Sequence, residues 1–493
     1  MVLLDYQRVL EDKQESNTAM ASYDKFYING EWTAPSGSGK IEVINPATEE
    51  VIGTVPSGNA ADADAAIRAA RAAFDGWAAL SIEERTGYVE KLAAEMAAQG
   101  EAIGQCVSQE QGMPIPSAIQ VQAGLPTGVM ANYVEVGKAY AAAEPERIGN
   151  SEIVKEPIGV CSFITPWNYP LHQIVGKVAP ALVAGCTMVL KPSSETPLNA
   201  FLFAEIVDKV GLPKGVFNLV SGPGRTLGEA MCVHEEVDMI SLTGSTTAGK
   251  RIGELASGSI KRVCLELGGK SANVILEDAD LAKAIPASVM GMMFNCGQTC
   301  SALTRMIVPK DKQDEIAAIA KGVAEGISIG DPTVETNFMG PVVSKEQQDT
   351  IHGYIRKGIE EGATLLTGGT EPPEGINQGY YVKPTIFTDV KSDMTIAQEE
   401  IFGPVLCIVP YETEEEAIRI ANDSIFGLSG GVWAGTEERA RSVAMKMRTG
   451  QVAINGGAFN LAAPFGGYKQ SGNGRELGAH GLDEFLESKA INS

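Results

Sequence analysis

Residues 159–191, with the sequence GVCSFITPWNYPLHQIVGKVAPALVAGCTMVLK, decide the fold class of this chain. The stretch begins with a short apolar run at 159–164, continues with helical periodicity at 171–184, and ends in a second apolar run at 187–190. Two short apolar runs joined by a helical segment are typical of a strand, a helix and a strand. Such a crossover joins parallel strands of one sheet. We therefore predict an α/β fold with a parallel sheet.

The same alternation continues along the chain beyond this stretch. A helix and three strands are predicted to follow it, at 198–210, 216–220, 238–242 and 262–267. Two alanine-rich segments with helical periodicity precede it, at 60–78 and 82–98, and should flank the sheet. Strands and helices alternate again near the C-terminus, at 405–409, 414–421, 428–433, 437–447 and 451–454. We expect a second α/β unit there.

Length and composition are those of a globular protein with several packed units. The chain has 493 residues, of which 44% are hydrophobic, and a mean hydropathy near zero. A chain of this length is expected to divide into two or three units. No apolar run approaches the roughly 20 residues that cross a bilayer, so we expect no membrane association. Residues 1–22 lack the build of a signal peptide, since acidic residues follow their only apolar stretch. We expect a flexible leader and a cytoplasmic protein.

Charge and cysteine content argue against several functional classes. The formal net charge of −23 argues against nucleic acid as a partner, because binding to phosphates depends on clustered Lys and Arg. The eight cysteines lack the density of a disulfide scaffold, and no Cys, His or carboxylate spacing indicates a metal site. None of the four histidines lies in a motif of a Cys-His hydrolase. We expect a metal-free protein in a reducing compartment.

The segment Asn-Cys-Gly-Gln-Thr-Cys at 295–300 carries a candidate nucleophile, Cys300. A thiol beside glycine and small polar residues can approach a small electrophile closely. Glu266, in Glu-Leu-Gly-Gly-Lys at 266–270, is a candidate base between an apolar run and a glycine turn. Most free cysteines are buried apolar groups, however, and a glutamate at such a place is often solvated or caps a helix. These two segments alone leave both interpretations open.

Five segments of the chain together resemble the aldehyde dehydrogenase superfamily in form and order. The three that join the cysteine and glutamate segments are Thr-Pro-Trp-Asn-Tyr-Pro at 165–170, Glu-Ile-Phe-Gly-Pro-Val at 400–405 and Pro-Phe-Gly-Gly-Tyr-Lys at 464–469. The likeness extends from about Tyr23 to the C-terminus. Within it, Cys300 rather than Cys296 stands at the position of the family's nucleophile.

The resemblance implies a Rossmann-type parallel-sheet cofactor domain, a second α/β catalytic domain and a small β oligomerisation arm. Residues 23–130 and 150–264 would form the dinucleotide-binding domain, and 265–460 the catalytic domain. Residues 131–149 and 478–493 would form the arm and pair across a homodimer or homotetramer through sheet edges. The same two segments could instead be surface strands of a monomer.

The turn Gly-Ser-Thr-Thr-Ala-Gly at 244–249 follows a predicted strand and opens a helix, as a phosphate-binding turn does. Alone it is a weak signal, since it lacks the G-x-G-x-x-G form. The resemblance implies a bound dinucleotide, NAD or NADP. It assigns cofactor contacts to Ile164, Thr165, Trp167, Lys191, Ser194, Gly222, Gly224, Gly244, Ser245, Glu400 and Phe402.

Ser194 bears on the choice between the two cofactors. Many NAD-preferring relatives carry a glutamate three residues after the lysine that corresponds to Lys191, where it binds the adenosine ribose. Here Ser194 stands at that position and Glu195 follows. A glutamate would repel a 2′-phosphate, whereas a serine would not. The sequence therefore admits NADP beside NAD.

The resemblance also implies a covalent mechanism. Cys300 would attack an aldehyde, and Asn168 with the Cys300 amide would stabilise the oxygen of the thiohemiacetal. Loss of a hydride to the dinucleotide would leave a thioester, which water activated by Glu266 would hydrolyse to a carboxylic acid. Lys177 and Glu476 match positions that carry protons between this glutamate and solvent, although either could be a surface charge.

The residues that the resemblance places along the substrate tunnel include no Lys or Arg that would bind a carboxylate or phosphate. We therefore expect neutral aldehydes of medium aliphatic or aromatic type. Gly176, where some relatives have tryptophan, should widen the tunnel, and His172 should be a packed histidine. The full set is Tyr169, His172, Gly176, Thr299, Ser301, Phe459 and Phe465.

Two other functions compete with this one. A CoA-acylating aldehyde dehydrogenase would pass the acyl group to a thiol carrier rather than to water, and the presence of Glu266 favours hydrolysis. A structural or binding relative would have lost the nucleophile, whereas this chain retains Cys300 and Glu266. The sequence therefore favours an NAD(P)-dependent aldehyde dehydrogenase.

Overall fold

The computed structural model describes residues 22–493, so residues 1–21 of the predicted leader lie outside the described residues. The described chain contains two large sheets, of eight and seven strands, and two small sheets, of three and two strands. Each large sheet has its own hydrophobic core, one that includes Phe163 and Leu190 and one that includes Val274 and Ile307. The α/β fold class predicted from residues 159–191 is confirmed.

The strands of residues 22–493 are, in chain order, β1 (Phe26–Ile28), β2 (Glu31–Thr33), β3 (Lys40–Ile44), β4 (Val51–Pro56), β5 (Glu146–Ile148), β6 (Ser151–Pro157), β7 (Val160–Ile164), β8 (Thr187–Lys191), β9 (Phe217–Leu219), β10 (Met239–Thr243), β11 (Arg262–Glu266), β12 (Ala272–Ile275), β13 (Arg305–Pro309), β14 (Thr364–Thr367), β15 (Thr385–Thr388), β16 (Val405–Tyr411), β17 (Gly430–Trp433), β18 (Ala453–Ile454), β19 (Gly472–Asn473) and β20 (Leu486–Asn492).

The α-helices of the same residues are α1 (Ala60–Ala78), α2 (Ile82–Ala98), α3 (Gly100–Gln111), α4 (Ile115–Ser117), α5 (Gly124–Ala141), α6 (Pro170–Ala184), α7 (Leu198–Val210), α8 (Glu229–Val233), α9 (Thr246–Ala256), α10 (Leu281–Met293), α11 (Gln313–Glu325), α12 (Lys345–Glu360), α13 (Thr395–Gln398), α14 (Glu414–Asn422), α15 (Glu437–Ala444) and α16 (Gly478–Asp483). Across residues 22–493, none of the helices is both long enough and apolar enough to cross a membrane.

The first large sheet has a parallel centre with antiparallel edges. Its order is β19-β11-β10-β7-β8-β9-β1-β2, and the strands from β11 to β9 run parallel. The chain passes from β7 to β8 and β9 on one side, and then crosses to the other side of β7 for β10 and β11. The loops after β7 and β10 therefore diverge. They leave a crevice at the carboxyl ends of these strands, where open α/β sheets bind their ligands.

Local sequence explains where the helices around this sheet begin and end. The side chain of Asn59 accepts a hydrogen bond from the Ala61 amide at the start of α1, and Asp62 completes a capping box. Helix α7 ends at Gly211, whose left-handed backbone, with φ of 71°, suits glycine. Both helices have the bounds that the periodicity predicted.

The second large sheet supports the segment with the candidate nucleophile. Its order is β14-β15-β16-β13-β12-β17-β18, and all neighbouring pairs are parallel except β14 with β15. Helix α10 leads into residues 295–300, and β13 follows them. The predicted second α/β unit is present. It contains more strands than the sequence analysis identified, because β12, β13 and β15 also belong to it.

The two segments predicted for the arm contain helices as well as strands. Residues 131–141 belong to helix α5, whose buried residues Val129, Tyr133 and Gly137 recur every fourth position, as the buried face of a helix requires. Residues 478–483 form helix α16. The strands of this region make the three-stranded antiparallel sheet β20-β6-β5. This small sheet therefore joins residues 146–157 to the C-terminal strand β20.

Candidate active site

A cavity of about 230 Å³ lies at the crevice between the carboxyl ends of β7 and β10. The loop after β7 contributes Trp167 and Asn168, and the second α/β unit contributes Cys300 and Glu400. The lining residues are Pro166, Trp167, Asn168, Thr243, Gly244, Ser245, Leu267, Gly268, Cys300, Gln347, Glu400 and Phe402. The candidate nucleophile thus shares one cavity with Asn168 and with five of the residues assigned to the cofactor.

A second hollow, also lined by Ser245, lies along the start of helix α9. Its other walls include Ile164, Gly224 and Arg225. The Ser245 hydroxyl caps α9 by accepting a hydrogen bond from the Ala248 amide at 3.2 Å. The free N–H groups and the positive end of the helix dipole favour an anion at such a helix start. The two hollows therefore suit an elongated ligand with an anionic centre.

The loop that carries Cys300 has a strained backbone. Asn295 and Cys296 have left-handed φ values of 52° and 54°, a conformation that costs a non-glycine residue about 1–3 kcal/mol. Neighbouring groups hold the strain in place. Gln111 Nε2 donates to Asn295 Oδ1 at 2.9 Å, and Cys296 Sγ donates to the Gly340 carbonyl at 3.2 Å. The loop therefore fixes the position of Cys300.

Asn168 is oriented by the same loop. Its Nδ2 donates to the Gln298 carbonyl at 3.0 Å. Its backbone carbonyl accepts hydrogen bonds from Gln122 Nε2 at 3.0 Å and Asn295 Nδ2 at 3.2 Å. A side-chain amide has two N–H groups, so the second N–H of Asn168 is left for a ligand. It can donate to an oxygen bound beside Cys300.

The surroundings favour the protonated forms of Cys300 and Glu266. Burial, together with the carboxylates of Glu400 and Glu266, raises the pKa of the Cys300 thiol to about 12, while the Ser301 amide opposes the shift. Burial and then the charge of Glu476 raise the pKa of Glu266 well above its ordinary value. A thiolate at Cys300 therefore requires a nearby proton acceptor.

The Glu266 carboxylate lies buried at the end of β11 and does not line the cavity. Among residues 22–493, neither of its oxygens has a hydrogen-bond partner. A Cβ on Gly466 would lie 2.7 Å from Glu266 Oε1, so the carboxylate packs against the bare backbone of the 464–469 segment. To meet a water molecule beside Cys300, the Glu266 side chain has to rotate into the cavity.

Lys177 and Glu476 form a buried ion pair near Glu266. The side chain of Lys177 on helix α6 is 1% exposed, and that of Glu476 is 8% exposed. The Lys177 ammonium donates to a Glu476 oxygen and also to Thr243 Oγ1, at 2.6 Å. The charge of Glu476 is, after burial, a cause of the raised pKa of Glu266. The two side chains that the sequence analysis paired are therefore in contact.

Glu400 and Phe402 flank the cavity from the loop before β16. Glu400 Oε1 accepts a hydrogen bond from the Gly269 amide at 2.9 Å, and burial raises the pKa of Glu400 to about 7. The Phe402 ring packs edge-on against Trp167, with centroids 5.2 Å apart. Gln347 Nε2 donates to the Phe402 carbonyl at 2.8 Å. These contacts hold both residues against the cavity.

Lys191 ends strand β8 beside the second hollow. Its Nζ donates to the Pro192 carbonyl at 2.7 Å and the Gly222 carbonyl at 3.2 Å, and burial lowers its pKa to about 8. The Thr165 amide donates to the Lys191 carbonyl at 3.1 Å. Ser194 follows in the turn after β8 and lines neither hollow.

The residues predicted for the substrate tunnel do not line the cavity. The Tyr169 and Thr299 hydroxyls are hydrogen-bonded at 2.8 Å. Phe459 and Phe465 pack edge-on with centroids 6.0 Å apart, and Phe459 is 48% exposed. Ser301 is half-buried, directly after Cys300.

Two further tunnel residues lie on helix α6 near the ion pair. A Cβ at Gly176 would lie 3.5 Å from Glu476 Oε2, so this glycine leaves space beside the carboxylate. Burial and then the Lys177 charge lower the pKa of His172 to about 4, which keeps its ring neutral near pH 7. The widening of the tunnel by Gly176 stays a prediction.

Sequence reasoning missed two polar residues of the cavity, Thr243 and Gln347. Thr243 immediately precedes the predicted turn 244–249, so its place at a strand end was a usable signal. Gln347 lies on α12 and reaches the cavity through tertiary packing, which no local pattern indicates. Within the described part of the chain, no group of three or more His, Cys, Asp or Glu side chains could hold a metal ion.

Comparison with known proteins shows the family of this chain. The model of the aldehyde dehydrogenase family matches residues 32–491. The 3-succinoylsemialdehyde-pyridine dehydrogenase of a Pseudomonas species is 49% identical over 473 residues, which cover 96% of this chain and 99% of that protein.

Solved structures of similar proteins have the same fold. The aldehyde dehydrogenase C mutant from Pseudomonas syringae, complexed with NAD+ and octanal, is 48% identical with a TM-score of 0.95 and covers 97% of this chain and 98% of its own. The Mycobacterium tuberculosis aldehyde dehydrogenase complexed with NAD+ is 42% identical with a TM-score of 0.94, covering 96% and 99%. The chain belongs to the aldehyde dehydrogenase family.

Proposed function

We propose that the protein oxidises an aldehyde to the corresponding carboxylic acid, with NAD+ or NADP+ as the hydride acceptor. The supporting observation is one cavity that joins Cys300 and Asn168 to the start of helix α9. A nucleophilic thiol beside an amide donor is suited to attack on a carbonyl group. A glycine-containing turn that leads into the start of a helix is suited to a pyrophosphate. Together they favour a dinucleotide-dependent reaction at a carbonyl carbon.

The residues around the two hollows fit a dinucleotide. The free amides at the start of α9 would hold its pyrophosphate. The buried Glu400 carboxylate, which already accepts a hydrogen bond from the Gly269 amide, would accept another from a hydroxyl of one ribose. When bound, the dinucleotide supplies a hydride acceptor at the Cys300 end of the cavity. The proposed contacts are Ile164, Thr165, Trp167, Lys191, Ser194, Gly222, Gly224, Gly244, Ser245, Glu400 and Phe402.

In the first step, the Cys300 sulfur bonds to the aldehyde carbon and the carbonyl oxygen becomes negative. The second N–H of Asn168 and the Cys300 amide stabilise this oxygen, and they do so without reorganisation because the loop 295–300 is already fixed. Glu266, once deprotonated and rotated, accepts the thiol proton. Loss of the hydride then leaves a thioester at Cys300.

In the second step, Glu266 takes a proton from a water molecule as the water oxygen bonds to the thioester carbon. The carbon–sulfur bond breaks, the carboxylic acid leaves, and the Cys300 thiolate is restored. Glu266 needs an outlet for its proton, and the Lys177–Glu476 pair lies beside it. The chain thus has a base for hydrolysis, which favours water over a CoA thiol as the acyl acceptor.

For the substrate we propose neutral aldehydes of medium aliphatic or aromatic type. The residues proposed for the substrate tunnel include no Lys or Arg that would bind an anionic group. The Phe459–Phe465 pair would give the tunnel an apolar surface. A structural relative was solved with octanal, an aldehyde of this type. Tyr169, His172, Gly176, Thr299 and Ser301 complete the proposed substrate set.

For the cofactor we propose NAD+ as the first choice, because both structural relatives described above were solved with NAD+. NADP+ stays in competition, since Ser194 replaces a carboxylate that would repel the 2′-phosphate. Arg225, which lines the second hollow, adds a cation on the same side. The ratio of kcat/KM for the two cofactors tests this choice.

The decisive experiment follows NADH and NADPH formation by the purified protein with aliphatic and aromatic aldehydes. We expect turnover that disappears in Cys300→Ala and persists in the matched control Cys232→Ala, a buried cysteine of helix α8. Turnover only after CoA is added would support the acylating alternative. Equal activity in Cys300→Ala would overturn the covalent mechanism.

We also propose that the protein is a cytoplasmic homo-oligomer, a dimer or a tetramer, assembled through the arm. In the single chain, β5 and β20 are the edge strands of the three-stranded sheet. Edge strands with unpaired backbone groups are suited to pairing with another chain. The proposed domains are 23–130 with 150–264 for the dinucleotide and 265–460 for catalysis.

A further inference from the structure

A continuous set of hydrogen bonds links the buried ion pair to the cavity. Glu476 accepts from Lys177, Lys177 donates to Thr243 Oγ1 at 2.6 Å, and Thr243 Oγ1 donates its own proton to Gln173 Oε1 at 3.1 Å. Thr243 is the last residue of strand β10 and lines the cavity beside Gly244. Of these four side chains, only Thr243 lines that cavity. It is therefore the point where the buried network meets the cavity.

We propose that Thr243 carries the proton released during thioester hydrolysis from the Lys177–Glu476 pair into the cofactor cavity. This inference rests on the proposed function, since it concerns the fate of the proton that Glu266 takes from water. It gives the threonine hydroxyl a role as a relay group, separate from any contact with the dinucleotide.

The proton balance requires such an outlet. Hydrolysis forms one carbon–oxygen bond, breaks one carbon–sulfur bond and places one water proton on Glu266. That proton passes to Glu476, and Glu476 returns it to Lys177 as the ammonium gives a proton to Thr243 Oγ1. The Thr243 hydroxyl, which donates to Gln173 Oε1 in the structure, turns away from that amide and releases its own proton to water in the cavity. Each group ends in its starting state, so the network can act again.

Other groups around the ion pair lie in the protein interior and do not line the cavity. Tyr133, on helix α5, is fully buried, and Cys264, on β11, is 2% exposed. Burial is the main cause that raises the pKa of both side chains, and the charge of Glu476 is the second cause. Both side chains are therefore protonated near neutral pH. The Arg475 guanidinium donates to the carbonyls of Gly467 and Gly474. Among residues 22–493, the Thr243 hydroxyl is the group hydrogen-bonded to Lys177 that also lines the cavity.

An activated aryl ester, 4-nitrophenyl acetate, isolates this step because it acylates Cys300 without any dinucleotide. The burst of nitrophenolate reports acylation, and the later steady rate reports hydrolysis of the acyl-enzyme. Thr243→Val removes the hydroxyl and keeps the branched shape, while Thr243→Ser keeps the hydroxyl. Thr187→Val is the matched control, since Thr187 is also a buried strand threonine with one hydrogen bond, to the Ala70 carbonyl.

We expect Thr243→Val to retain the burst and to lose about tenfold or more of the steady rate. The solvent deuterium isotope effect on that rate should rise in the same variant. Thr243→Ser should recover most of the rate, and Thr187→Val should match the wild type. A steady rate unchanged in Thr243→Val, or one that Thr243→Ser does not rescue, would overturn the inference.

The same measurements separate this inference from the proposed function. If the wild type forms NADH from aldehydes but Thr243→Val hydrolyses its acyl-enzyme normally, only the relay through Thr243 fails. If the wild type neither turns over aldehydes nor shows a burst with the ester, the covalent mechanism itself fails. A loss confined to dinucleotide-dependent turnover, with normal ester hydrolysis, would assign Thr243 to cofactor positioning and contradict the relay.

Discussion

Asn168 shows how one residue can depend on a strained loop for its role. Its side-chain amide donates to the Gln298 carbonyl, and its backbone carbonyl accepts from Gln122 and Asn295. These contacts fix the orientation of the second side-chain N–H. We expect Asn168→Ala to lower kcat/KM for an aldehyde by about 10²–10³-fold, because the negative oxygen loses a preorganised donor. Steady-state kinetics measure the loss. A change in KM alone would contradict a role in stabilising that oxygen.

The thiol of Cys300 should show an unusual dependence on pH. Its pKa lies near 12 rather than 9.0, because burial and two carboxylates disfavour the thiolate. The thiolate fraction should then rise about tenfold per pH unit across the neutral and mildly alkaline range. Alkylation by iodoacetamide without cofactor, followed by mass spectrometry of the Cys300 peptide, measures this rise. A plateau between about pH 8 and 9 would show a depressed pKa, and a rise that levels off above about pH 9 would show an ordinary one.

Single residues of the site differ in how well the sequence identifies them. Cys300 and Glu266 lie in motifs whose residue types suit covalent chemistry, and the resemblance to a family added Asn168, so all three were proposed before the fold was known. The packing of Glu266 against Gly466 joins residues two hundred positions apart in the sequence. Its withdrawn position, outside the cavity, follows from this packing. No motif could have predicted it.

Among the elements, helix α7 has an N-terminus that its own sequence does not cap. Its preceding residue, Pro197, makes no side-chain cap. Glu110 at the end of α3 supplies the acceptors instead, to the Leu198 amide at 2.7 Å and to the Asn199 amide and side chain at 3.1 and 2.6 Å. The start of α7 is therefore held by a buried carboxylate from another helix.

This carboxylate should make stability depend on pH with an unusual sign. Burial raises the pKa of Glu110 from 4.5 to about 7, although the hydrogen bonds to Asn199 oppose the shift. Between these values the folded chain binds a proton that the unfolded chain has released. The folded state therefore loses stability as the pH rises from 4.5 to about 7, by about 3 kcal/mol at most.

Substitution of Glu110 by glutamine tests this argument. Glu110→Gln cannot ionise, so the variant should lose less stability than the wild type as the pH rises from 5 to 8. At pH 5 the variant should have the lower Tm, because an amide cannot accept all three hydrogen bonds. Scanning calorimetry at both pH values, with Glu90→Gln on the exposed face of α2 as control, gives the comparison. Parallel Tm profiles for wild type and Glu110→Gln would refute it.

The elements also show where sequence patterns succeed. Helices α1, α2 and α7 have the predicted bounds because each has strong periodicity and a clear boundary, a cap at Asn59 and Ser81 or a glycine at 211. Residues 131–141 were assigned to the arm although Val129, Tyr133 and Gly137 carry a helical repeat. The assignment followed the arm that the family resemblance implies and ignored this helical repeat. Short buried strands such as β12 have too few residues for periodicity to identify them.

At the scale of the whole molecule, the site is assembled from both α/β units. Asn168 follows β7 and Glu266 ends β11 in the first sheet, whereas Cys300 lies before β13 in the second. A sequence can indicate each of these residues, but the distances between them depend on how the two units pack. The roles could therefore be proposed from the sequence, whereas the geometry could not.

The arm offers the last test, because it concerns how whole chains assemble. Ile148 at the edge strand β5 is 61% exposed and Ile491 on β20 is 50% exposed, so both edges of the small sheet carry apolar side chains that a second chain would cover. An aspartate at each position would place two charges in such an interface, where burial is strongly unfavourable. We expect Ile148→Asp/Ile491→Asp to elute as a smaller species than the wild type.

Size-exclusion chromatography with light scattering measures the difference against the chain mass of 51.9 kDa. Ile359→Asp is the matched control, since Ile359 on α12 is 49% exposed and lies away from the arm. The control should keep the wild-type mass, while the double variant should shift towards a single chain. A wild-type mass already equal to one chain would overturn the proposed oligomer. An unchanged mass in the double variant would move the interface to another surface.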